Sequence, residues 1–190
     1  MFKPTPIQSY LLKISFIGTF AEMMLTPIYL ALANRFGGNV LDAGLGFCVF
    51  NVATGLLVFT FGQSKFFEQH KKWMVFVGFL ICGLCDVGYA GISLKWQYYC
   101  LQAVGGAGIG LANPAWDSVY EDEDHDEEGN GASKWSFWTG GISFVVGAGS
   151  LLGGLVADKW GLRPLFFIMA GTDAVAVYYA WRMARFYQIQ

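Results

Sequence analysis

A chain of 190 residues that is 55% hydrophobic, 17% aromatic and only 14% charged does not match a water-soluble domain, in which about a quarter of residues are charged. Its 12 basic and 14 acidic side chains leave a net charge of −2 and form no basic patch, which excludes a partner bound through a phosphate backbone. The apolar runs are about 20 residues long and lack ten-residue alternation, so the class is an all-α membrane protein rather than a β-barrel.

Six transmembrane helices are predicted. The first, about residues 11–33, reads LLKISFIGTFAEMMLTPIYLALA and carries Glu22 at its middle. A central ionisable residue costs roughly 2.5–3.5 kcal/mol on insertion scales, so it is expected to face protein or water. Ser15, Gly18, Thr19, Glu22, Thr26 and Tyr29 recur every three or four residues and share one face. The opposite face is Leu, Ile, Phe and Met. The second span, about 43–61, places Gly44, Cys48, Asn51, Gly55 and Gly62 on one side. The third, about 73–93, contains Cys82, Cys85 and Asp86.

The fourth span, about 97–120, repeats the design of the first. Gln102, Gly106, Gly110, Asn113, Asp117 and Tyr120 form a polar stripe interrupted by Pro114 and flanked by Trp116. A carboxylate within each stripe favours a cavity lining for the first and fourth spans. The fifth, about 133–157, carries Ser136, Thr139, Gly140, Ser143, Gly147, Ser150 and Gly154 on one face. Such small residues in the second and fifth spans read as helix-packing surfaces. The sixth, about 164–185, contains Asp173 among apolar neighbours. Asp86 and Asp173 are expected either to cap internal hydrogen bonds or to join a proton path.

Connections are short except between the fourth and fifth spans, so successive spans are expected to pack as antiparallel neighbours. That longer connection holds EDEDHDEE, residues 121–128, within an acidic loop over about 121–132. A solvated linker is the expected role, with a weak divalent-cation site as the alternative. The four cysteines fall in apolar runs and read as packing residues. His70 and His125 fall in loops, leaving no intramembrane His for metal or nucleophilic chemistry. An enzyme is therefore not expected, apart from a minor aspartyl-protease reading of Asp86 with Asp173. No cofactor or metal is expected.

Orientation follows from Lys and Arg. Placing the termini in the cytoplasm puts Lys3, Lys13, Lys65, Lys71, Lys72, Lys134, Arg182 and Arg185 inside. Arg35, Lys95, Lys159 and Arg163 then lie outside, a positive-inside bias. The chain also repeats itself. Phe50-x-Val52-x-x-Gly55-x-Leu57 recurs as Phe144-x-Val146-x-x-Gly149-x-Leu151. Three spans followed by three more must be inverted in the membrane, because three is odd. One six-helix domain over 1–190 is expected, with repeat one about 9–93 and repeat two about 97–186. Inverted repeats mark transporters with a site near the bilayer midplane.

The run Gly154-Leu-Val-Ala-Asp158-Lys159-Trp-Gly161-Leu-Arg163 resembles the G-x-L-a-D-r-x-G-r-k signature of the major facilitator superfamily. Gln102-Ala-Val-Gly-Gly106-Ala-Gly108-Ile-Gly110 is similar to that superfamily's fourth-span motif, and Asn113-Pro114-Ala-Trp116-Asp117 also fits. Two departures stand out. Phe66 replaces the signature Asp in the 2–3 loop, so the good copy lies in the 5–6 loop. Gln102 replaces the fourth-span motif's Arg. The superfamily usually has twelve spans; the resemblance implies one half of that fold, and hence a parallel homodimer whose second copy supplies the other half.

The leading functional expectation is a secondary active transporter of the cell membrane, working by alternating access and coupled to protons. Glu22 and Asp117 are the proton-coupling candidates. Thr26, Tyr29, Asn51, Asn113, Trp116 and Tyr120 are the substrate-binding candidates, a mixture suited to a sugar, a polyol or an amphipathic solute. The resemblance implies a gating role for Gly154, Asp158, Lys159, Gly161 and Arg163. The alternative is a non-transporting membrane scaffold, or one half of a heterodimeric transporter.

Overall fold

The computed structural model describes residues 4–123 and 131–186. The elements are α1 (Pro6–Leu25), a 3-10 turn (Thr26–Ile28), α2 (Tyr29–Asn34), α3 (Val40–Phe61), α4 (Lys65–Gly91), α5 (Lys95–Asp122), α6 (Gly131–Trp160) and α7 (Leu162–Phe186). No strand occurs among the described residues. Most of the acidic stretch, from Asp124 through Glu128, lies outside them.

Local chemistry sets the helix starts. Thr5 and Gln8 close a reciprocal capping box ahead of Pro6. Asn39 and Asp42 do the same for α3, with bonds of 3.2 and 2.8 Å. The Ser64 hydroxyl accepts from the Phe67 amide to begin α4. Pro27 lacks an amide donor, and the helix tightens into the 3-10 turn there before resuming as α2. Gly161, at φ +82°, makes the sharp turn from α6 to α7 that a residue with a Cβ would resist.

Among the described residues, five segments are long and apolar enough to cross a membrane: Pro6–Asn34, Val40–Phe61, Lys65–Gly91, Ala132–Trp160 and Leu162–Phe186. The fourth predicted span, α5, is long enough but not apolar enough. The reason lies in its position. Gln102, Gly105, Gly106, Gly108 and Gly110 are all buried against neighbours, and an interior helix has little need of a lipid-facing surface.

Contact pairs give the helix directions. Phe50 and Thr54 of α3 meet Gly106 and Gly110 of α5 in the same order, so these helices run parallel. Phe20 and Met24 of α1 meet Gly149 and Gly153 of α6 likewise. Gly78 and Gly88 of α4 meet Gly108 and Leu101 of α5 in reverse order, as antiparallel helices do. Gly83 and Tyr89 of α4 meet Asp173 and Phe166 of α7, also antiparallel. Direction therefore alternates along the chain. The expectation that successive spans pack together is only partly met: α3 packs along α5 rather than α4, and α6 along α1 rather than α5. Glycine decides this, because a backbone approaches most closely where no Cβ intervenes.

The small-residue faces expected to pack in the second and fifth spans do not do so within one copy: Gly44, Gly55, Gly140, Gly147 and Gly154 face open space, and α6 packs on α1 through Gly149 and Gly153 on another side. The two copies of the repeated motif also sit differently. Phe50 packs toward α5, but Phe144 is 84% exposed.

Polar contacts tie both ends of the bundle. At the end holding the α1 N-terminus, Lys71 pairs with Asp122 and with Glu68, the latter at 2.6 Å, and donates to Ser118. Lys134 donates to the Tyr120 carbonyl there. At the opposite end Asp42 accepts from Lys95 at 2.9 Å and from Tyr99 at 2.8 Å. Arg35 donates to the carbonyls of Tyr89 and Ala90, closing α4.

Candidate functional site

The bundle holds a partly open cavity of about 370 Å³. Ser15, Gly18, Thr19 and Glu22 of α1 line it, followed by Tyr29 at the start of α2. The wet face read from the first span is thus a cavity wall. Thr26 is not part of it, since the 3-10 turn shifts the register and its hydroxyl donates to the Glu22 carbonyl at 3.0 Å.

From α5 come Gly105, Ile109, Asn113, Trp116 and Asp117. Asn113 and Asp117 are exposed, one turn apart. The rest of the predicted α5 stripe turns elsewhere: Gly106 and Gly110 press against α3, and buried Gln102 does not line the cavity. Tyr120 is also away from it. Its ring is buried, stacks on Trp116 at 4.7 Å and lies 4.4 Å from the Lys134 ammonium. Asn51 is exposed on α3 and donates to its own helix at Phe47, 2.8 Å away. The α5 helix serves two helix interfaces and a cavity at once, and the glycines take the interfaces.

Trp116 is held in place from its polar edge. Its Nε1 donates to the Leu11 carbonyl at 2.8 Å, and Trp138 Nε1 donates to Ser15 Oγ at 3.3 Å. Trp116→Phe keeps the stack on Tyr120 but loses the α1 bond. We expect a loss of about 1 kcal/mol in unfolding free energy, measured by thermal or denaturant scans in detergent.

Asp86 of α4 and Asp173 of α7 also line the cavity, only 7% and 5% exposed. Their carboxyl groups lie against each other across the α4–α7 contact and interact electrostatically. Gly83 permits that contact, since a Cβ there would lie 3.2 Å from the Asp173 Cβ. The structure places both residues expected to cap hydrogen bonds or join a proton path side by side at the cavity wall. An isolated Asp in an apolar run is itself a signal of function; a search for polar stripes does not detect it. Cys82 and Cys85, free thiols, line the same wall. No group of three or more His, Cys, Asp or Glu among the described residues is arranged to hold a metal ion.

The signature residues lie apart from the cavity. Gly161 makes the α6–α7 turn, and Asp158, Lys159 and Arg163 are exposed around it. This turn is at the end of the bundle opposite the α1 N-terminus.

A family model of the Major Facilitator Superfamily matches residues 11–186. The chain belongs to the Major Facilitator Superfamily. No curated protein matches it. Its 190 residues fit a half-size superfamily member. Superfamily members are membrane transporters rather than enzymes, and the helices of this one are apolar enough for an integral membrane protein.

Proposed function

We propose that this superfamily member is a secondary active transporter that works by alternating access as a parallel homodimer, coupled to protons. The solute is a small polar or amphipathic organic molecule, such as a sugar. The observation that carries this reading is the cavity, which gathers Glu22, Asp117, Asn113, Tyr29 and Trp116 inside a membrane-length bundle. Carboxyl groups at membrane depth serve as proton-carrying sites in many transporters. Glu22 and Asp117 take the coupling role; Tyr29, Asn113 and Trp116 take the solute.

Two three-helix repeats are supported by the packing. Exchanging α1 with α5, α3 with α6 and α4 with α7 carries the α3–α5 contact onto α6–α1. It carries α4–α5 onto α7–α1 and leaves α4–α7 unchanged. Each helix of the second set runs opposite to its counterpart in the first. The homodimer is supported by what one copy leaves uncovered: Gly44 and Gly55 on α3 and Gly140, Gly147 and Gly154 on α6 face open space. A second copy on a twofold axis would cover such a face. Exposed Asp158, Lys159 and Arg163 would then be placed to meet that copy and act as a gate. The basic residues gathered around the α1 and α4 N-termini support cytoplasmic termini in the cell membrane.

Two measurements test the proposal. Native mass spectrometry from a mild detergent is expected to give twice the mass of the chain; a folded monomer would favour a separately encoded second half. In liposomes with an imposed proton gradient, a panel of sugars, polyols and amphipathic organics is expected to include one that dissipates the gradient only when the protein is present. A dimeric protein that moves neither protons nor solute across the whole panel would be a scaffold.

A further inference from the structure

The charge balance of the cavity narrows the solute class, given the reading of this cavity as the solute site. Four carboxyl groups from four helices line it: Glu22, Asp86, Asp117 and Asp173. No Lys, Arg or His does. The ion pairs found among the described residues use Lys71 and Lys95 at the bundle ends, and none involves these four carboxyls. Asp86 and Asp173 are more than nine-tenths buried and lie against each other. Taking unpaired carboxylates out of water is costly; a proton on the carboxyl or a positive charge in the cavity offsets that cost, and an organic cation supplies the second. An anion would be repelled. A neutral sugar would gain nothing from their charge.

The remaining lining settles which kind of cation. No three of these carboxyls among the described residues are grouped as metal ligands are. Between them stand Tyr29, Phe50, Phe79, Tyr89, Trp116 and Trp138. Aromatic faces attract a diffuse organic cation through the ring quadrupole and also bury its apolar body. A small hard cation would gain from the carboxyls alone. The volume of about 370 Å³ also suits a molecule rather than an ion.

We infer that the cavity takes an organic cation, a quaternary ammonium or protonated amine carrying an apolar or aromatic body. The carboxyls compensate its charge and the aromatic rings enclose its body.

The test compares two isosteres, 3-hydroxyphenyltrimethylammonium and neutral 3-tert-butylphenol, which differ only in nitrogen against carbon at the branched centre. Binding to the purified protein in detergent is followed by tryptophan fluorescence and calorimetry. The cation is expected to bind at least about tenfold more tightly than the phenol. The double variant Asp86→Asn with Asp173→Asn is expected to remove that preference while leaving phenol binding unchanged. If that variant does not elute as folded protein, Asp117→Asn, at an exposed position, is expected to weaken the cation about threefold and the phenol not at all. Binding of neither probe, or of the phenol as tightly as the cation, overturns the inference. So does a cation preference that survives both variants. The readout is binding, so it stands apart from transport. Cation binding without transport would defeat the transporter reading and leave this one; transport of a neutral solute with no cation binding would do the reverse.

Discussion

Glu22→Gln is expected to reduce proton-driven uptake to the level of protein-free liposomes while leaving the protein folded. Glutamine matches glutamate in size, so the cavity keeps its shape, but it cannot take up and release a proton. The fold has little stake in this carboxyl. Glu22 makes no ion pair among the described residues, and the α1 contacts that hold α6 run through the Phe20 and Met24 backbone. Uptake measured with a pH-sensitive dye, alongside size-exclusion of the same preparation, separates lost coupling from lost folding. Asp117→Asn is expected to retain part of the activity, because Asp117 is exposed and water can serve it. Normal proton-driven uptake by Glu22→Gln would transfer the coupling role to the Asp86–Asp173 pair.

Gly153→Leu is expected to have the largest effect on stability. A Cβ on Gly153 would run into the Met24 backbone of α1, which cannot move aside as a flexible side chain could. The α1–α6 interface would have to open. Overpacking of this kind typically costs about 1–3 kcal/mol, and backbone contact places this case at the upper end or beyond. The expected result is aggregation or a sharply lowered melting temperature in detergent. Gly147→Leu is the control on the same helix. Nothing lies within 4 Å of a Cβ there, so the melting of the protomer should hardly change. A shift of Gly147→Leu from dimer to monomer would locate the twofold contact on that face. Equal melting of Gly153→Leu and the unsubstituted chain would rule out the α1–α6 packing described above.

Membrane class and the approximate limits of five spans follow from local composition alone; α5 is too polar to be read that way. A bilayer demands long apolar helices with internally satisfied backbones, and that demand is written residue by residue. The wet face of the first span was legible for the same reason: Ser15, Gly18, Thr19, Glu22 and Tyr29 follow the helical period and line the cavity. The family was legible too, because the Gly154–Arg163 signature is contiguous, with Gly161 at a turn that needs it.

What periodicity could not supply was the partner of each face. On α5 the stripe ending at Tyr120 looked continuous, yet Gly106 and Gly110 go to the α3 backbone while Asn113 and Asp117 face the cavity. Period shows that residues share a side; it does not show what stands opposite. Asp86 and Asp173 make the same point more strongly. Each is a lone carboxyl in apolar sequence, 87 positions apart, and only the antiparallel approach of α4 and α7 at Gly83 brings them together at the cavity. The sequence by itself determined that carboxyls enter the membrane. The tertiary structure decided that four of them line one cavity with no Lys, Arg or His beside them, because charge compensation depends on which helices meet.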